Sequence, residues 1–413
     1  MNLKNLRSQI VWLPSVLIVL PIVLPAQNRK TVSTARELQA IFARPVDSVE
    51  VTLAPGEYHL TPSNIIDPTC GNCQDVNTPV HATVGLHIRG NYVKLVGPED
   101  KSAIIHTHAG YGLYFDGCKS ALVDNLSITG GVRDTAGAAT DAAIVVKNSL
   151  AIIQNNRIFD NIGDSATVAN VIVGIMGICG RENSQIYILK NEIIRNSWDG
   201  IAVYRAAEAS IHGNIVDGVD KATGQRIGGG RGVGIGVTWN GKAMVARNLV
   251  KRYWKGIGLF VDAYGVVVMN LVEDIVTWGI QLWDADKGKP VGRIERNVIY
   301  DTGACGAAIT RASEDGEPGY FKGNIITKTA QNPRYDSPDY YCYQCALALH
   351  AVPKKFVIDA NLFYHNRRAT PDLPDHDVPR EEFLKAIQPA LQWISTTTIF
   401  QQSDFLKEFG NAR

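Results

Sequence analysis

Short apolar runs of β type recur along the middle of the chain, each bounded by glycine or polar turns. Between residues 234 and 300 a phrase that begins Gly-Ile occurs three times, and each phrase is followed by an Asn that precedes two aliphatic residues. Asn248 lies eleven residues after Val237, and Asn270 lies eleven residues after Leu259. Apolar runs of strand length that return about every 22 residues are typical of a solenoid of stacked β-coils.

Asparagine occurs in a matching local context throughout this region. In a stacked-coil fold, an Asn at a fixed inward turn position can pass hydrogen bonds from coil to coil and satisfy buried turn amides. The sequence therefore predicts an asparagine ladder inside the solenoid. Its predicted members are Asn125, Asn156, Asn191, Asn214, Asn248, Asn270, Asn297, Asn324 and Asn361.

The Gly-Ile-x-Val phrase with Asn eleven residues on resembles the repeat of the right-handed parallel β-helix in the pectate-lyase-like superfamily, over roughly residues 45–366. The resemblance implies an all-β fold, a right-handed parallel β-helix of about ten coils. That superfamily includes pectate and alginate lyases, polygalacturonases, uronan epimerases, phage tailspikes and non-enzymatic periplasmic proteins, so the fold does not fix the activity. The polygalacturonase acid motifs, the epimerase Tyr-Gly-x-Asp-Pro-His element and the pectate-lyase Asp-His strand motif are absent, and no catalytic residue is carried over.

The sequence before the repeats predicts a cap. Thr34 and Glu37 form a capping box that opens a short amphipathic helix ending near Phe42. A strand at residues 49–53 follows, and residues 61–83 are expected to form an irregular loop. A helix and a strand ahead of a β-solenoid would cover the open edge of its first coil.

The chain changes composition after the last repeat. Residues 27–366 are expected to form one β-helix domain with its N-terminal cap. Residues 367–413 contain two helix-like segments, near 381–394 and 403–409. We expect this C-terminal segment to pack against the last coil or along the side of the solenoid.

The first residues have the pattern of a secretory signal peptide. Lys4 and Arg7 precede an apolar run, residues 10–24, which is shorter than the roughly 20 residues needed to span a bilayer. Cleavage after residue 26 would release a secreted or periplasmic protein without a membrane span. A membrane anchor that stays attached is the alternative.

Overall composition narrows the class of partner. The 413 residues are 45% apolar and 20% charged, and they include 38 glycines, which favours β structure with many turns. The formal net charge of +1 offers no basic face for a nucleic acid. No feature of the sequence predicts an oligomeric state.

Seven cysteines fit an oxidising compartment. Two Cys-x-x-Cys pairs, 70–73 and 342–345, are expected to form local disulfides, because a shared zinc site would have to join opposite ends of the solenoid. Cys305 and Cys345 occupy equivalent positions of consecutive coils, where a disulfide could also form. The predicted odd thiol is Cys118 or Cys179.

The third position of each Gly-Ile-x phrase should face outward, since side chains alternate along a strand. These positions hold small residues in five of six cases and would make a flat floor. Insertions flank this predicted sheet on both sides and would build walls, which together with the floor form a groove. The floor positions are Ala202, Gly236, Gly258, Gln281, Ala308 and Ala348.

Residues just after the phrases should line one edge of this groove. Aromatic residues there alternate with acids and arginines, and aromatic faces stack on sugar rings while charged groups bind hydroxyls or carboxylates. The predicted partner is an extended polysaccharide, most favourably an acidic one. The predicted substrate-binding residues are Tyr204, Arg205, Trp239, Phe260 and Trp283.

Three acids on adjacent coils, Asp262, Asp284 and Asp286, suggest chemistry in the groove. In β-elimination from a uronate, calcium held by these carboxylates would neutralise the substrate, and Arg311 or His350 would take the proton. An inverting glycoside hydrolase would instead use Asp262 and Asp284 as its two carboxyls. A non-catalytic glycan-binding protein is the third hypothesis, and acids that only stabilise turns or pair with Arg311 are the structural alternative.

Two weaker features complete the candidate chemistry. The segment 251–255, Lys-Arg-Tyr-Trp-Lys, approaches the groove and could meet an anionic polymer, although a solvated turn is the preferred interpretation. His106 and His108 lie two residues apart and could supply half of a metal site.

Overall fold

The computed structural model describes residues 28–136, 138, 140–163, 174–218, 232–333, 344–367 and 377–411. The predicted signal peptide and Cys342 lie outside these residues. Within them, most of the chain forms three long sheets that run side by side. We call them sheet 1, sheet 2 and sheet 3.

The strands of each sheet are as follows, in spatial order. Sheet 1 has 12 strands: Asn28–Val32, Val49–Leu53, Tyr92–Val96, Ser120–Asp124, Leu150–Gln154, Gln185–Leu189, Glu208–His212, Lys242–Ala246, Tyr264–Val268, Val291–Glu295, Gly319–Lys322 and Val357–Asp359. Sheet 2 has 11 strands: Gly56–His59, Ala103–His106, Ser127–Thr129, Arg157–Phe159, Glu192–Ile194, Ile215–Asp217, Leu249–Lys251, Leu271–Ile275, Val298–Thr302, Ile325–Thr327 and Leu362–Tyr364. Sheet 3 has 11 strands: Ser63–Asp67, Val80–Ile88, Tyr111–Asp116, Ala142–Lys147, Met176–Arg181, Ile201–Val203, Val233–Val237, Lys255–Phe260, Trp278–Trp283, Cys305–Thr310 and Cys345–His350.

The coil length follows from the register of these strands. Val233 pairs with Lys255 in the next coil, and Lys255 pairs with Trp278 in the one after, so the coils there are 22 and 23 residues long. The Ile of each Gly-Ile phrase points inward and is fully buried, for example Ile235 and Ile257. Stacked aliphatic side chains of this kind form the continuous core that a solenoid needs for stability.

The predicted asparagine ladder is present from Asn156 to Asn361. The side-chain amide of Asn248 donates to Asn270 Oδ1 at 3.0 Å, and the same oxygen accepts the Asn248 backbone N–H at 2.9 Å. The prediction is wrong at Asn125, because the N–H of Leu126 occupies the ladder position and donates to Asn156 Oδ1. Asn125 lies one residue earlier with φ of 56°, a left-handed turn that Asn tolerates better than most residues.

The N-terminal cap agrees with its prediction in part. Helix α1, Ala35–Phe42, begins with the Thr34–Glu37 capping box. The predicted irregular loop at 61–83 is wrong at residues 63–67 and 80–83, which form strands. Ser63–Asp67 pairs antiparallel with the beginning of Val80–Ile88, and the two form the edge of sheet 3.

The C-terminal segment lies along the side of the solenoid. It forms helices α2 (Arg380–Ala386), α3 (Gln388–Ser395) and α4 (Asp404–Phe409), with a 3₁₀ turn at Thr398–Gln402 between the last two. Their apolar side chains pack on the outer face of sheet 2 near Leu271 and Val298. The helices thereby cover apolar side chains of sheet 2 on several successive coils, which would otherwise form an exposed apolar patch.

The structure confirms the cysteine predictions only in part. Cys70 and Cys73 form the predicted local disulfide. Cys305 and Cys345 pair in register on neighbouring strands, but their sulfur atoms are 3.9 Å apart, so the possible disulfide between them is not formed. Cys118 and Cys179 are both buried free thiols, and burial raises the pKa of each above its ordinary value. No helix among the described residues is long and apolar enough to cross a membrane.

Candidate functional site

The outer face of sheet 3 is divided into a covered half and an open half. Over the first strands, segment 63–82, whose two ends pair at the edge of sheet 3, folds over the face and packs on Tyr111, Tyr114 and Val145. Over the later strands this cover ends, and a cleft opens above Gly236. The two halves meet near Tyr204, which contributes to both.

Charged side chains under the cover form a hydrogen-bonded network. Arg181 is buried and donates to Glu182 and to Thr140, and its guanidinium lies 3.1 Å from Asp67 Oδ2. The Lys147 ammonium donates to the other oxygen of Asp67. Pairing of this kind offsets the cost of taking these charges out of water, so the network anchors segment 63–82 to the sheet.

The cleft on the open half has a volume of about 510 Å³. Its lining is mostly aromatic and small, with a few polar groups. The lining residues are Asn72, Trp198, Asp199, Tyr204, Gly232, Val233, Gly236, Thr238, Trp239, Trp254, Lys255, Phe260, Val261, Trp283 and Ala285. A concave, apolar site with a few converging polar groups is the usual form of a ligand site.

The predicted floor exists as a row in register but is open over only part of its length. Ala202, Gly236 and Gly258 stack on successive strands. The Phe260 ring lies over Gly258, where a Cβ would come within 2.1 Å of the ring. The glycine at 258 is therefore explained by a ring folded back onto the sheet, and the free floor is concentrated at Gly236.

Aromatic rings and cations alternate along the cleft. The Arg205 guanidinium lies 4.5 Å from the centre of the Trp239 ring, and the Lys287 ammonium lies 5.8 Å from it. Lys255 lies 5.1 Å from the centre of the Phe260 ring and 5.5 Å from that of Trp283. These distances are within the range of cation–π attraction, which orients both partners and leaves positive charge at the rim.

Asp199 is the carboxylate of the cleft. It precedes the strand Ile201–Val203, and its Oδ1 accepts the Val233 N–H at 2.6 Å. The Tyr204 hydroxyl lies 3.4 Å from Oδ2. Burial raises the pKa of Asp199 to about 7, an effect that the Val233 N–H, the Tyr204 hydroxyl and the Lys255 charge only partly offset.

Lys255 and Tyr204 are also perturbed by the cleft. Burial lowers the pKa of Lys255, and the nearby Asp199 partly reverses this shift. Burial and Asp199 together raise the pKa of Tyr204 well above its ordinary value. Shifted ionisation in a cleft is characteristic of functional groups, because the site has removed water from them.

Four of the five predicted substrate-binding residues line this one cleft: Tyr204, Trp239, Phe260 and Trp283. The fifth, Arg205, stacks on Trp239 and donates from Nε to the Gly71 carbonyl at 3.1 Å. The structure thus brings the whole predicted aromatic row together.

The sequence did not single out Asp199, and it indicated Lys255 only as part of the segment 251–255, for which a solvated turn was preferred. Both directly precede the Gly of a Gly-Ile phrase. That Gly turns inward, since a Cβ at Gly256 would lie 2.5 Å from the buried Val272, and the residue before it is left on the cleft side. This fixed position before each Gly was the available signal. The solvated-turn interpretation of segment 251–255 is wrong at Tyr253, which is fully buried, and at Lys255.

The residues predicted to be catalytic lie elsewhere in the structure. Arg311 is buried, and its guanidinium donates to the Asp315 and Glu317 carbonyls, so it anchors the following loop. Asp284 accepts the backbone N–H groups of Asp286 and Ala312. Neither Arg311 nor Asp284 lines the cleft.

The remaining predicted residues are similarly dispersed. Asp262 accepts the Asn240 N–H at 2.6 Å, Asp286 is exposed, and His350 is exposed at the end of the Cys345–His350 strand. The three aspartates form no group of three metal-ligand atoms within 4.8 Å of one another among the described residues. Their backbone hydrogen bonds hold two of them in turns, which is the structural alternative for these acids.

A match to a known protein family describes the same fold as the structure. A family model described as "Right handed beta helix region" matches residues 77–250. With the three parallel sheets, this match identifies the chain as a right-handed parallel β-helix protein, as its repeats predicted. No curated protein matches the chain in sequence.

Several solved structures are similar to the chain at low identity. The surface adhesin PfbA of Streptococcus pneumoniae is 12% identical, covering 78% of this chain and 75% of its own, with a TM-score of 0.41. An exopolygalacturonase of Thermotoga maritima is 11% identical, covering 76% and 81%, with a TM-score of 0.44. The A-module of the mannuronan C-5 epimerase AlgE4 of Azotobacter vinelandii is 10% identical, covering 86% and 97%, with a TM-score of 0.46. At these values the likeness concerns the fold alone.

Proposed function

We propose that the cleft on sheet 3 binds a uronate-containing polysaccharide and cleaves it by β-elimination. The observation that carries the proposal is the meeting of Asp199, Tyr204 and Lys255 inside a cleft walled by tryptophans. Aromatic walls suit sugar rings, and buried ionisable groups with shifted pKa values suit proton transfer.

The rim favours an acidic glycan over a neutral one. Arg205 and Lys287 both lie against the Trp239 ring at the cleft, and both remain charged when Lys255 is the neutral base. Asp199 is the opposing acid among the described lining residues, and with a pKa of about 7 it is partly protonated at neutral pH. These two cations would attract a sugar carboxylate, and their charge beside it would lower the cost of removing the neighbouring C–H proton.

The elimination can be written with residues of the cleft. Lys255 in its neutral form takes the proton from the carbon beside the carboxylate, the C–H electron pair forms the new double bond, and the bond to the glycosidic oxygen breaks. That oxygen takes a proton from the Asp199–Tyr204 pair. Burial lowers the pKa of Lys255 and raises that of Asp199, which brings base and acid toward the same pH range.

In this proposal Arg311 is not the base, because its guanidinium is used to hold the loop that follows it. The inverting-hydrolase alternative with Asp262 and Asp284 would need both carboxylates free to act, whereas both accept backbone N–H groups. Calcium dependence stays a prediction, since the charge needed at the substrate carboxylate is also available from the cations of the rim.

The experiment is a screen of uronate-rich and neutral polysaccharides, read by double-bond absorbance and by reducing ends, with and without chelator. We expect new absorbance on an acidic glycan, and we expect Lys255→Met and Asp199→Asn each to lower the rate at least about 100-fold while binding persists. Trp283→Ala, which leaves the ionisable groups in place, is the matched control. It should weaken glycan binding more than it lowers the rate of the bound complex. Reducing ends without absorbance would select a hydrolase, and binding without product would select the non-catalytic hypothesis.

We further infer that the protein is exported. The predicted signal peptide supports this inference, as does the Cys70–Cys73 disulfide, a bond that persists in oxidising compartments. Expression of the full chain followed by N-terminal sequencing of the secreted or periplasmic product would test it, with a new terminus near Gln27 as the expected result.

A further inference from the structure

A cluster of histidines lies on the outer face of sheet 2, away from the cleft. His59 and His106 are in register on neighbouring strands, and their rings stack with centres 4.2 Å apart and planes 14° apart. Glu57 lies on the same strand as His59, two residues earlier and therefore on the same face. His108 follows in the turn after the His106 strand and stacks on His59 at 5.5 Å.

The ligand atoms of this cluster converge on one point. Glu57 Oε2 lies 3.2 Å from His59 Nε2 and 3.8 Å from His106 Nε2, and these three atoms all lie within 4.8 Å of one another. Ligand atoms about 2.0–2.1 Å from a tetrahedral zinc ion are about 3.3 Å apart, so the spacing already approaches that of a site. Among the described residues, this is the one group of three such atoms.

Two further observations point to a cation. His106 Nε2 is buried and has no hydrogen-bond partner among the described residues, although it faces the Glu57 carboxylate. His59 Nδ1 lies 3.2 Å from His108 Nε2. When the Nδ1 proton of His59 is donated to His108, the Nε2 lone pair of His59 is left facing Glu57, an arrangement that orients ligating histidines in many metal sites.

We propose that Glu57, His59 and His106 form a binding site for a divalent transition metal, with zinc as the expected ion and His108 as the positioning residue. Two imidazoles and one carboxylate are a donor set that suits zinc, nickel or copper better than calcium or magnesium. The side chains of Glu57 and His59 are 60% and 57% exposed, so the ion can enter from solvent and keep an open position for water.

The test uses the mature protein without a histidine tag, stripped with chelator and titrated with Co²⁺ alone. We expect visible absorption of low-coordinate Co²⁺ that Zn²⁺ displaces in a one-to-one ratio. His59→Ala, His106→Gln and Glu57→Gln should each weaken binding about 100-fold, and His108→Ala about 10-fold, as for outer partners of metal ligands. His81→Ala removes an exposed histidine outside the cluster and should bind as the unmodified protein does.

The proposal is overturned if Co²⁺ gives only the spectrum of the hydrated ion, or if the His59 and His106 variants bind as tightly as the unmodified protein. Circular dichroism and the melting temperature of each variant show whether it is folded. Because Glu57→Gln and His106→Gln alter different strands, a folding defect in one leaves the other to decide. The result does not depend on the glycan activity, since the cluster lies on a different sheet.

Discussion

The two halves of the outer face of sheet 3 are built from coils of the same kind but serve opposite purposes. Under segment 63–82, large side chains such as Tyr111 and Arg181 fill the space, and each buried charge meets a partner. On the open half, Gly236 leaves space that tryptophans surround but do not fill. The backbone of the strands is nearly the same in both halves. Whether the face is closed or open therefore depends on whether segment 63–82 covers it.

The two halves also differ in how their buried carboxylates are paired with cations. Asp67 contacts both Arg181 and Lys147. Asp199 in the cleft has no comparable ion pair among the described residues, and burial raises its pKa to about 7. Burial raises the pKa of Asp141 in the covered half to about 7 as well, although Arg133 pairs with it, so the halves differ in pairing and in access and not in the pKa itself. Removing one partner of a buried pair is costly because the other charge is left uncompensated, whereas an incompletely compensated carboxylate at an opening is available for chemistry.

The largest effect is expected from removing the buried cation of the covered half. Arg181→Met would leave Asp67 and Glu182 without their shared partner, and breaking a buried pair in this way costs about 3–5 kcal/mol. Unfolding in urea and the melting temperature measure the loss. The matched control is Arg195→Ala, which removes an exposed pair with Asp160 and should cost less than about 1 kcal/mol. Equal losses in the two variants would show that the network under segment 63–82 is not stabilising.

The next effect is a pH-dependent gain in stability from Asp199→Asn. The pKa of Asp199 in the folded protein, about 7, lies above its ordinary value of 3.8, so the carboxylate destabilises the fold increasingly as pH rises from about 4 to 7. Asn carries no charge, and the difference between variant and unmodified protein should therefore grow over this range, to at most about 4 kcal/mol above pH 7. Urea unfolding at several pH values measures it.

The control for that series is Asp286→Asn. This carboxylate is exposed, and its replacement should change stability by less than about 0.5 kcal/mol at every pH. A difference for Asp199→Asn that stays constant from pH 4 to pH 8 would contradict the assignment of Asp199 as a desolvated acid.

A smaller effect, on binding alone, is expected from Trp283→Ala. Trp283 is 38% exposed, so its loss should barely change the melting temperature, but an aromatic platform lost from a sugar site should weaken glycan binding by about 10-fold. Tyr320→Ala, which removes an aromatic side chain from sheet 1, is the control and should leave binding unchanged. Isothermal titration calorimetry with the best glycan of the screen distinguishes the two.

The smallest effect is expected from Lys287→Ala. Lys287 is exposed and lies 5.8 Å from the centre of the Trp239 ring. Its removal should weaken binding of an acidic glycan about threefold at low salt and less at high salt, because salt screens exposed charges. Binding of a neutral glycan should be unaffected, because it carries no charge for Lys287 to attract. Binding measured at two ionic strengths tests this. An equal loss for both glycans would mean that the side chain contributes packing and not charge.

Much of the architecture could be predicted from the pattern of residues, because it is repeated. The Gly-Ile phrases fixed coil length and register, and the Asn positions from 156 to 361 identified the ladder. Asn125 was misplaced by one residue, since the sequence does not distinguish an Asn in a left-handed turn from one at the ladder. The aromatic row was found for the same reason, as Trp239, Phe260 and Trp283 end successive phrases.

The catalytic prediction was weaker because carboxylates in turns resemble carboxylates in sites. Asp262 and Asp284 carry the same side chain as Asp199, and only the folded chain shows that the first two bind backbone amides while Asp199 lies in the cleft. The histidine cluster was half visible as His106 and His108. Its other half, Glu57 and His59, comes from the preceding coil. His59 and His108 are 49 residues apart in the sequence, so their contact is not visible from local spacing.

The sequence by itself determined the solenoid, its period, the inward Ile column and the side of the coil on which the aromatic residues stand, since all of these follow from local spacing. Only the tertiary structure decided where the face is covered and where it is open, because that depends on how segment 63–82, which lies outside the Gly-Ile repeats, folds over sheet 3. It also decided which acid is buried. Desolvation depends on every neighbour in space, and the neighbours of Asp199, among them Val233 and Lys255, are brought to it by the stacking of later coils.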